Sequence, residues 1–357
     1  MAMQDNDTRD MLADSIGRLF SEQVSPELIR RVEEGHWPAE LWQLLQEQGF
    51  DLALVPEDAS GLGLSWDTVY PILFACGRHT LPLPLPEVML GNWLLGKAAI
   101  EIPEGRVTVA QVPADALKVA GDGTVQVQGT LRDVPWACGA GHVVVCATLD
   151  GQEHVGLLPL KTAALEAELN VAREPRHNVH FDTPVAVQMV PVSGLPPQAV
   201  TLYGAMLRSA QMAGAAEKLL AQTIQYAGER VQFGRALAKF QVIQQHIAVV
   251  GSEAAAMAAA ADYAFDSADT TSAELAIMAA KIRAGVSAGK VASLAHAVHG
   301  AIGFTYEHSL HYASRRLWAW RSEYGSHAWW SERLGRQTAA VGKQGWWPMI
   351  TAGTAAV

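Results

Sequence analysis

The fold is decided by residues 142–160, HVVVCATLDGQEHVGLLPL, which read as two β-strands joined by the turn pair Asp150-Gly151. Asp-Gly favours a tight hairpin because both central residues of such a turn need positive φ. Further short runs rich in β-branched residues lie on either side: VTVAQV, TVQVQG, NVHFD and VAVQMVPV. The sequence therefore predicts an antiparallel β-domain over residues 105–195.

The segments before and after this region have helical spacing. In residues 1–104, apolar side chains recur three or four positions apart, as at Ile16, Leu19 and Phe20. In residues 196–341, alanine-rich runs such as SEAAAMAAAAD favour closely packed helices, because alanine is the best helix former and its side chain is small. We predict an α+β chain: an N-terminal helical domain, the middle antiparallel β-domain, a C-terminal four-helix bundle and a tail over residues 342–357.

Composition excludes several classes of protein. The formal net charge is −10 and no basic run interrupts it, so nucleic acid is a poor partner. The three cysteines are too scattered for a disulfide framework or a CxxC metal site, which indicates a reducing compartment. The N-terminal stretch does not resemble a signal peptide, and no long apolar window predicts a membrane span. We expect a cytoplasmic protein.

Four histidines near the end of the helical region, at positions 296, 299, 308 and 311, are spaced like metal ligands. No flanking carboxylate or cysteine completes a set, so we predict no metal site.

Three motifs point to one family: VPEDASGLGLS at residues 55–65, ERVQFGRALAKFQVIQQHIA at 229–248 and HAVHGAIGFTYEHSLHYASRR at 296–316. Together with the order of helices, sheet and helices, they resemble the acyl-CoA dehydrogenase family. The second motif is the most specific, because ERxxFG followed by FQ is rarely met by chance. The resemblance implies an FAD-dependent enzyme that converts an acyl-CoA thioester into its α,β-unsaturated product.

The second motif carries residue types that suit the adenosine-diphosphate half of FAD. Arg230 offers a planar, permanently charged fork that matches a diphosphate, which lysine could not reproduce. Phe233 offers a flat apolar face for adenine or for the flavin edge, and Gln232 and Gln241 supply amide donors and acceptors. Resemblance to the family makes Arg230 the diphosphate contact; core packing is the alternative for Phe233.

The third motif contains His299-Gly300-Ala301-Ile302-Gly303, read as a glycine turn between two helices. Glycine lets backbone N–H groups approach an anion, and a following helix start adds a favourable partial charge. In the family this loop meets the FAD of a neighbouring subunit, so the resemblance makes His299, Gly300 and Gly303 cofactor contacts. The motif departs from the family at Ala297, where a glutamine is usual, and at Ala301, where a second glycine is usual.

The sequence offers fewer contacts to the flavin ring than family members usually do. The stretch VAQVPADALKV lacks the Thr-Glu-Pro and Gly-Ser loop that wraps the flavin in relatives. Trp136 aligns with the family tryptophan that covers the isoalloxazine, and is also consistent with ordinary sheet core. Cys138 stands where a hydroxyl is usual, and a thiol is a poorer donor to flavin N5.

The catalytic base is also missing from its usual places. The two family positions for this glutamate fall on Tyr324 and Gly204. Glu323 is adjacent to the first, but a shift of one residue turns a helical side chain by about 100°. We keep Glu323 as a candidate base beside the alternative of a solvated or salt-bridged glutamate.

Both absences favour a chain that shares its FAD site with a second, different acyl-CoA dehydrogenase subunit, as in family members that act on steroid side-chain CoA thioesters. The partner would supply the base and the ring contacts in an assembly such as a dimer of dimers, with an electron-transfer flavoprotein as acceptor. The alternatives are a self-sufficient homo-oligomeric dehydrogenase that uses Glu323, and a non-catalytic binding or scaffold subunit.

Overall fold

The computed structural model describes residues 2–120 and 124–352. Its α-helices are α1 (Ala2–Gln23), α2 (Pro26–Glu33), α3 (Ala39–Glu47), α4 (Trp66–Arg78), α5 (Leu85–Lys97), α6 (Ala199–Glu229), α7 (Gln241–Asp266), α8 (Ala273–His299), α9 (Leu310–Trp320) and α10 (His327–Ala352). Its strands are β1 (Val107–Gln111), β2 (Leu117–Val119), β3 (Val125–Pro135), β4 (His142–Leu149), β5 (Gln152–Pro159), β6 (Ala164–Leu169), β7 (Pro175–Ala186), β8 (Val190–Pro191), β9 (Val231–Gln232) and β10 (Arg235–Ala236). The predicted fold class is confirmed.

Packing divides the chain into two compact units. Unit 1 comprises residues 1–30, 66–81 and 205–357, and unit 2 comprises residues 31–65 and 82–204. Each unit is therefore assembled from separate stretches of the chain. The domain boundaries predicted at residues 104, 195 and 341 follow the order of elements along the sequence, and they stay a prediction.

Unit 2 contains two four-stranded sheets, with strand orders β1-β4-β5-β8 and β2-β3-β7-β6. The β4–β5 hairpin turns at Asp150 and Gly151, both at positive φ, as the sequence predicts. The two sheets share one core, to which Leu131 and Phe181 belong on one side and Val143 and Leu158 on the other. Among the strands of the described residues, pairing is antiparallel except between β1 and β4, which are parallel and are connected by a crossover through β2 and β3 of the other sheet.

A buried carboxylate fixes the beginning of α6. Glu153, on β5, accepts hydrogen bonds from the Ala199 backbone N–H (3.2 Å), from Thr148 Oγ1 (2.5 Å) and from Gln111 Nε2 (3.0 Å). Its side chain therefore satisfies one of the orphan N–H groups at the first turn of the helix. A negative charge is also favoured at this end of a helix.

Replacing Glu153 by glutamine should lower the free energy of unfolding by about 1–3 kcal/mol, because the amide nitrogen cannot accept the bonds that one carboxylate oxygen accepts. Urea unfolding followed by circular dichroism measures the change. The same substitution at Glu101, which is exposed, serves as the control. Equal midpoints for the two variants would contradict the capping role.

Unit 1 is a helical assembly held by close backbone approach and by ion pairs. A Cβ atom at Gly77 on α4 would lie 1.8 Å from the Gln211 carbonyl oxygen on α6, and one at Gly214 would lie 2.0 Å from the Phe74 carbonyl oxygen. Glycine is therefore required where these two helices cross. In the same unit, α7 and α10 both pack against α8.

Helix α10 overlaps the predicted tail. Its helical geometry breaks at Gly342 (φ 67°, ψ −174°) and resumes to Ala352. Residues 353–357 of that predicted tail lie outside the described residues.

Candidate functional site

The ERxxFG motif forms a small hairpin between two helices, not a helical turn. Helix α6 ends at Glu229, β9 and β10 pair antiparallel, and Phe233 and Gly234 make the turn at φ 52° and 79°. A phenylalanine at positive φ is uncommon. Its side chain is 90% exposed, so the turn presents a bare aromatic ring to the surroundings of the chain.

Arg230 lies at the base of this hairpin. Its side chain is exposed, and within residues 2–120 and 124–352 its guanidinium has no ion pair. Gln232 on β9 and Gln241, the first residue of α7, are exposed as well. The predicted adenosine-diphosphate contacts of the second motif are thus all on the surface of unit 1.

One aromatic contact brings the second and third motifs together. The Tyr226 ring on the last turns of α6 stacks on the His299 ring at the end of α8, with centroids 4.5 Å apart and planes at 20°. The Arg230 backbone N–H donates to the Tyr226 carbonyl oxygen (2.9 Å), so the arginine is one turn from that stack. Sequence reasoning missed Tyr226; its signal was the i,i+4 spacing to Arg230.

His299 packs beneath the glycine loop. Its Nδ1 donates to the Ala295 carbonyl oxygen (2.8 Å), and burial, the main cause, lowers the pKa of the imidazole. Nε2 is buried and has no hydrogen-bond partner among the described residues. The ring therefore couples α6 to the loop, and a direct contact between His299 and the cofactor stays a prediction.

The two glycines of the loop differ in role. Gly300 is exposed at φ 64°, and no atom lies within 4 Å of the place where a Cβ would sit. At Gly303 a Cβ would lie 3.0–3.1 Å from atoms of Leu310, His296 and His299, so a side chain there would crowd these three neighbours. A short 3-10 helix, Gly300–Phe304, follows the turn and α9 begins only at Leu310, so the expected helix-start charge contributes little here.

A cavity of about 590 Å³ opens beside this loop in unit 1. It is lined by small, aromatic and polar side chains that include Ala297, Ser293, Phe304, Tyr306, Arg315 and Trp318. Ala297 stands where the family resemblance expects a glutamine, so the smaller side chain leaves this space open.

Trp136 lies in unit 2, directly after β3, in left-handed conformation (φ 54°) and only 9% exposed. The Trp37 ring meets it edge-on, with centroids 6.3 Å apart. Cys138 follows in the next turn and is exposed. Whether Trp136 covers a flavin ring stays a prediction at this point.

Glu323 forms an ion pair with Arg208 in unit 1. Its Oε2 accepts from Arg208 Nε at 2.8 Å; the arginine side chain is 2% exposed and the glutamate side chain 17%. The Arg208 guanidinium also lies over the Trp320 and Tyr324 rings. The pair gives this carboxylate a structural partner, which is the alternative that the sequence leaves open for it. As a catalytic base, Glu323 stays a prediction.

Lys281 completes this cluster. It is fully buried, and its Nζ donates to the Trp320 carbonyl oxygen (2.5 Å), which satisfies the last residue of α9. Burial lowers the pKa of Lys281 from 10.5 to about 7, although the Glu323 charge opposes the shift.

We expect Lys281 to make the stability of the fold rise with pH. Below about pH 7 the amine is charged in both states; above it, up to 10.5, only the unfolded chain keeps the proton, so raising the pH favours the folded state. Between pH 7 and 9, the stability of the native protein relative to a Lys281→Met variant should increase by about 2 kcal/mol. Urea unfolding of both proteins at each pH tests this; parallel pH profiles would contradict it.

Within residues 2–120 and 124–352, no three His, Cys, Asp or Glu side chains are placed to hold a metal ion. The same part of the chain contains no helix with the length and apolar composition needed to cross a membrane.

Comparison with known proteins identifies the class to which this fold and these motifs belong. The acyl-CoA dehydrogenase N-terminal domain matches residues 6–101, and the acyl-CoA dehydrogenase C-terminal domain matches residues 198–329. The chain belongs to the acyl-CoA dehydrogenase family. Its cofactor is FAD.

The chain is similar to one curated dehydrogenase and to two solved structures of the family. Acyl-CoA dehydrogenase IpdE2 of Mycobacterium tuberculosis is 27% identical over 313 residues, which cover 86% of this chain and 90% of that protein. Among solved structures, the ChsE4-ChsE5 complex from Mycobacterium tuberculosis has a TM-score of 0.83 at 21% identity, covering 93% of this chain and 97% of that chain. A variant of the Tcur3481-Tcur3483 steroid ACAD has a TM-score of 0.82 at 24% identity, covering 94% and 99%. These two structures confirm the fold.

Proposed function

We propose that this chain is one subunit of a heteromeric acyl-CoA dehydrogenase and that it holds the adenosine-diphosphate half of an FAD whose ring and catalytic base are served by a second, different subunit. The observation that carries the proposal is the exposed Arg230 hairpin, coupled through Tyr226 and His299 to an open glycine turn. The chain presents a dinucleotide grip on its surface and has no carboxylate at either expected base position.

The residues present fit the diphosphate of FAD. Arg230 is an exposed cation without an ion pair among the described residues, and a guanidinium pairs with phosphate oxygens through two parallel hydrogen bonds. No atom lies within 4 Å of the place where a Cβ would sit at Gly300, so a ligand can approach the turn closely there, although the Gly300 N–H itself donates to the His296 carbonyl oxygen. The Phe233 ring offers a stacking face, and Gln232 and Gln241 offer amide groups nearby in the sequence.

The chemistry that FAD supplies when bound is acceptance of a hydride from the acyl-CoA thioester. In this proposal the residues of this chain bind and orient the cofactor and move no proton. Glu323 then serves the fold, because its carboxylate neutralises the buried Arg208.

Two of the similar structures support the heteromeric part of the proposal. The ChsE4-ChsE5 complex and the Tcur3481-Tcur3483 steroid ACAD are each named for two different chains. We therefore propose a CoA thioester of a steroid side chain as the substrate class and an electron-transfer flavoprotein as the acceptor. The assembly would be an oligomer such as a dimer of dimers, in the cytoplasm.

Co-expression with a second, different acyl-CoA dehydrogenase chain from the same genome tests the proposal. The purified complex should contain FAD and reduce a dye acceptor with a steroid side-chain CoA thioester, more rapidly than with butyryl-CoA. This chain alone should do neither. FAD-dependent turnover by this chain alone would support the homo-oligomeric alternative, and a complex that never takes up FAD would support the non-catalytic one.

A further inference from the structure

The segment of α10 that follows the break at Gly342 turns an apolar side away from unit 1. Four residues at spacings of three and four lie on one side of this helical segment, and we call them the tail stripe: Lys343, Trp346, Trp347 and Ile350. Trp346 is 44% exposed, Trp347 61% and Ile350 53%, whereas Met349 is only 3% exposed. The segment is therefore held by its other side, and the described part of the chain leaves the stripe uncovered.

The tail stripe presents more apolar surface than a single exposed side chain does. A covered tryptophan buries up to about 250 Å², so the two indoles together leave roughly 250 Å² exposed. Their rings pack edge to face with centroids 5.8 Å apart and form one continuous surface. Exposed apolar patches of this kind mark contact sites, and tryptophan is enriched among the residues that contribute most to binding. The stripe is therefore a candidate docking surface.

The tail stripe lies at the end of unit 1 that is opposite to the glycine turn. Glu274, in the first turn of α8, pairs with Arg333 of α10 (2.7 Å) and accepts a hydrogen bond from Gln337 Nε2 (3.0 Å). Helix α10 thus reaches the beginning of α8 just before the break at Gly342, and both tryptophans of the stripe follow within five residues. The glycine turn follows the other end of α8, which has 27 residues and is about 40 Å long. The stripe is therefore separate from the proposed dinucleotide grip.

The same end of unit 1 carries exposed carboxylates where α7 ends and α8 begins. We define this acidic corner by three residues: Tyr263, Asp266 and Asp269. The Tyr263 side chain is 52% exposed, and both carboxylates are exposed. In the part of the chain that the structure describes, neither carboxylate has an ion pair, and the exposed Lys343 of the stripe has none either. The corner thus offers one ring and two negative charges, and the stripe offers two rings and one positive charge.

We propose that the tail stripe binds the acidic corner of a second copy of this chain. Because stripe and corner lie at one end of unit 1, a two-fold axis through that end brings each stripe against the corner of the other copy. The Lys343 ammonium then faces Asp266 and Asp269, and the indoles pack against Tyr263. An anionic lipid surface fits this end less well, because the corner would bring carboxylates against it. The inference goes beyond the proposed function, since neither FAD nor a second kind of subunit takes part in the contact.

Sedimentation velocity of the purified chain at several concentrations measures the contact. The two-copy species should form reversibly, because the indoles of both stripes contribute about 500 Å², less than the roughly 1,200–2,000 Å² of a stable interface. Trp346→Ser combined with Trp347→Ser should weaken this species by at least about 100-fold. Met11→Ser, at a 65% exposed side chain of α1, is the control. Equal sedimentation of the native chain and the double variant would overturn the inference.

Charge reversal tests whether the corner is what the stripe binds. Lys343→Glu should weaken the association by about tenfold, because a two-fold contact contains this pairing twice. Asp266→Lys with Asp269→Lys should weaken it similarly, and the three substitutions together should restore most of the association. If the combined variant associates no better than Lys343→Glu alone, the pairing of stripe and corner is wrong.

The tryptophan double variant also separates two other occupants of the stripe. Binding of the native chain, and not of the variant, to vesicles of phosphatidylcholine and phosphatidylglycerol, without a two-copy species, would overturn the inference in favour of a lipid surface. Loss of co-purification with a second dehydrogenase subunit, at unchanged self-association, would overturn it in favour of that subunit. None of these measurements depends on FAD uptake, so a failure of the proposed function is seen separately.

Discussion

Replacing Arg230 by alanine is expected to weaken FAD binding to the reconstituted complex by about 100-fold, because charge-assisted hydrogen bonds to a phosphate contribute about 1.5–3 kcal/mol. Lysine at the same position keeps the charge but loses the planar fork, so Arg230→Lys should recover only part of the affinity. Calorimetric titration of the FAD-stripped complex with FAD measures the affinity of both variants.

The stability of the fold should not respond to Arg230→Ala. Its guanidinium is exposed and makes no ion pair among the described residues, so the melting temperature should stay that of the native protein. Arg18→Ala removes another exposed arginine of unit 1 and controls for net charge. Unchanged FAD affinity in Arg230→Ala would remove the central residue of the proposed grip.

The second large effect is expected on stability. Replacing Arg208 by methionine removes the buried cation that pairs with the Glu323 carboxylate and should lower the free energy of unfolding by about 3–5 kcal/mol. Removing both charges, in Arg208→Met with Glu323→Leu, should restore part of that loss, because the carboxylate is then no longer left without its arginine, while the buried Lys281 loses both a favourable and an unfavourable neighbour. Urea unfolding of the two variants makes the comparison; Arg336→Met, at an exposed i,i+4 pair, is the control.

Glu323→Gln separates the structural role of this glutamate from a catalytic one. If Glu323 serves the fold, the folded complex keeps its rate of acyl-CoA oxidation and loses only stability. If it is the base, turnover falls by orders of magnitude while FAD remains bound. A loss of turnover with an unchanged unfolding midpoint would favour the homo-oligomeric alternative.

The local pattern of the sequence was sufficient to predict many of the helices and strands. The alternation and the Asp150-Gly151 turn predicted the β4–β5 hairpin, and alanine-rich helical spacing predicted the helices that follow. The parallel pairing of β1 with β4 was missed, because strands distant in sequence choose their neighbours through the shared core. The ERxxFG motif indicated the residue types of the proposed grip, which stay a prediction, but not that Phe233 turns a hairpin at positive φ.

What the sequence determined by itself is therefore the order of elements, the family and the residue types of the proposed dinucleotide grip, because each depends on residues close together in the chain. What only the tertiary structure decided is which of those side chains face outward. Tyr226, on another helix, stacks on the buried His299 ring, and Trp37, from a segment far away in sequence, meets the buried Trp136 ring edge-on. The exposure of a side chain depends on packing between segments that are distant in sequence. The spacing of residues along the chain therefore does not predict it.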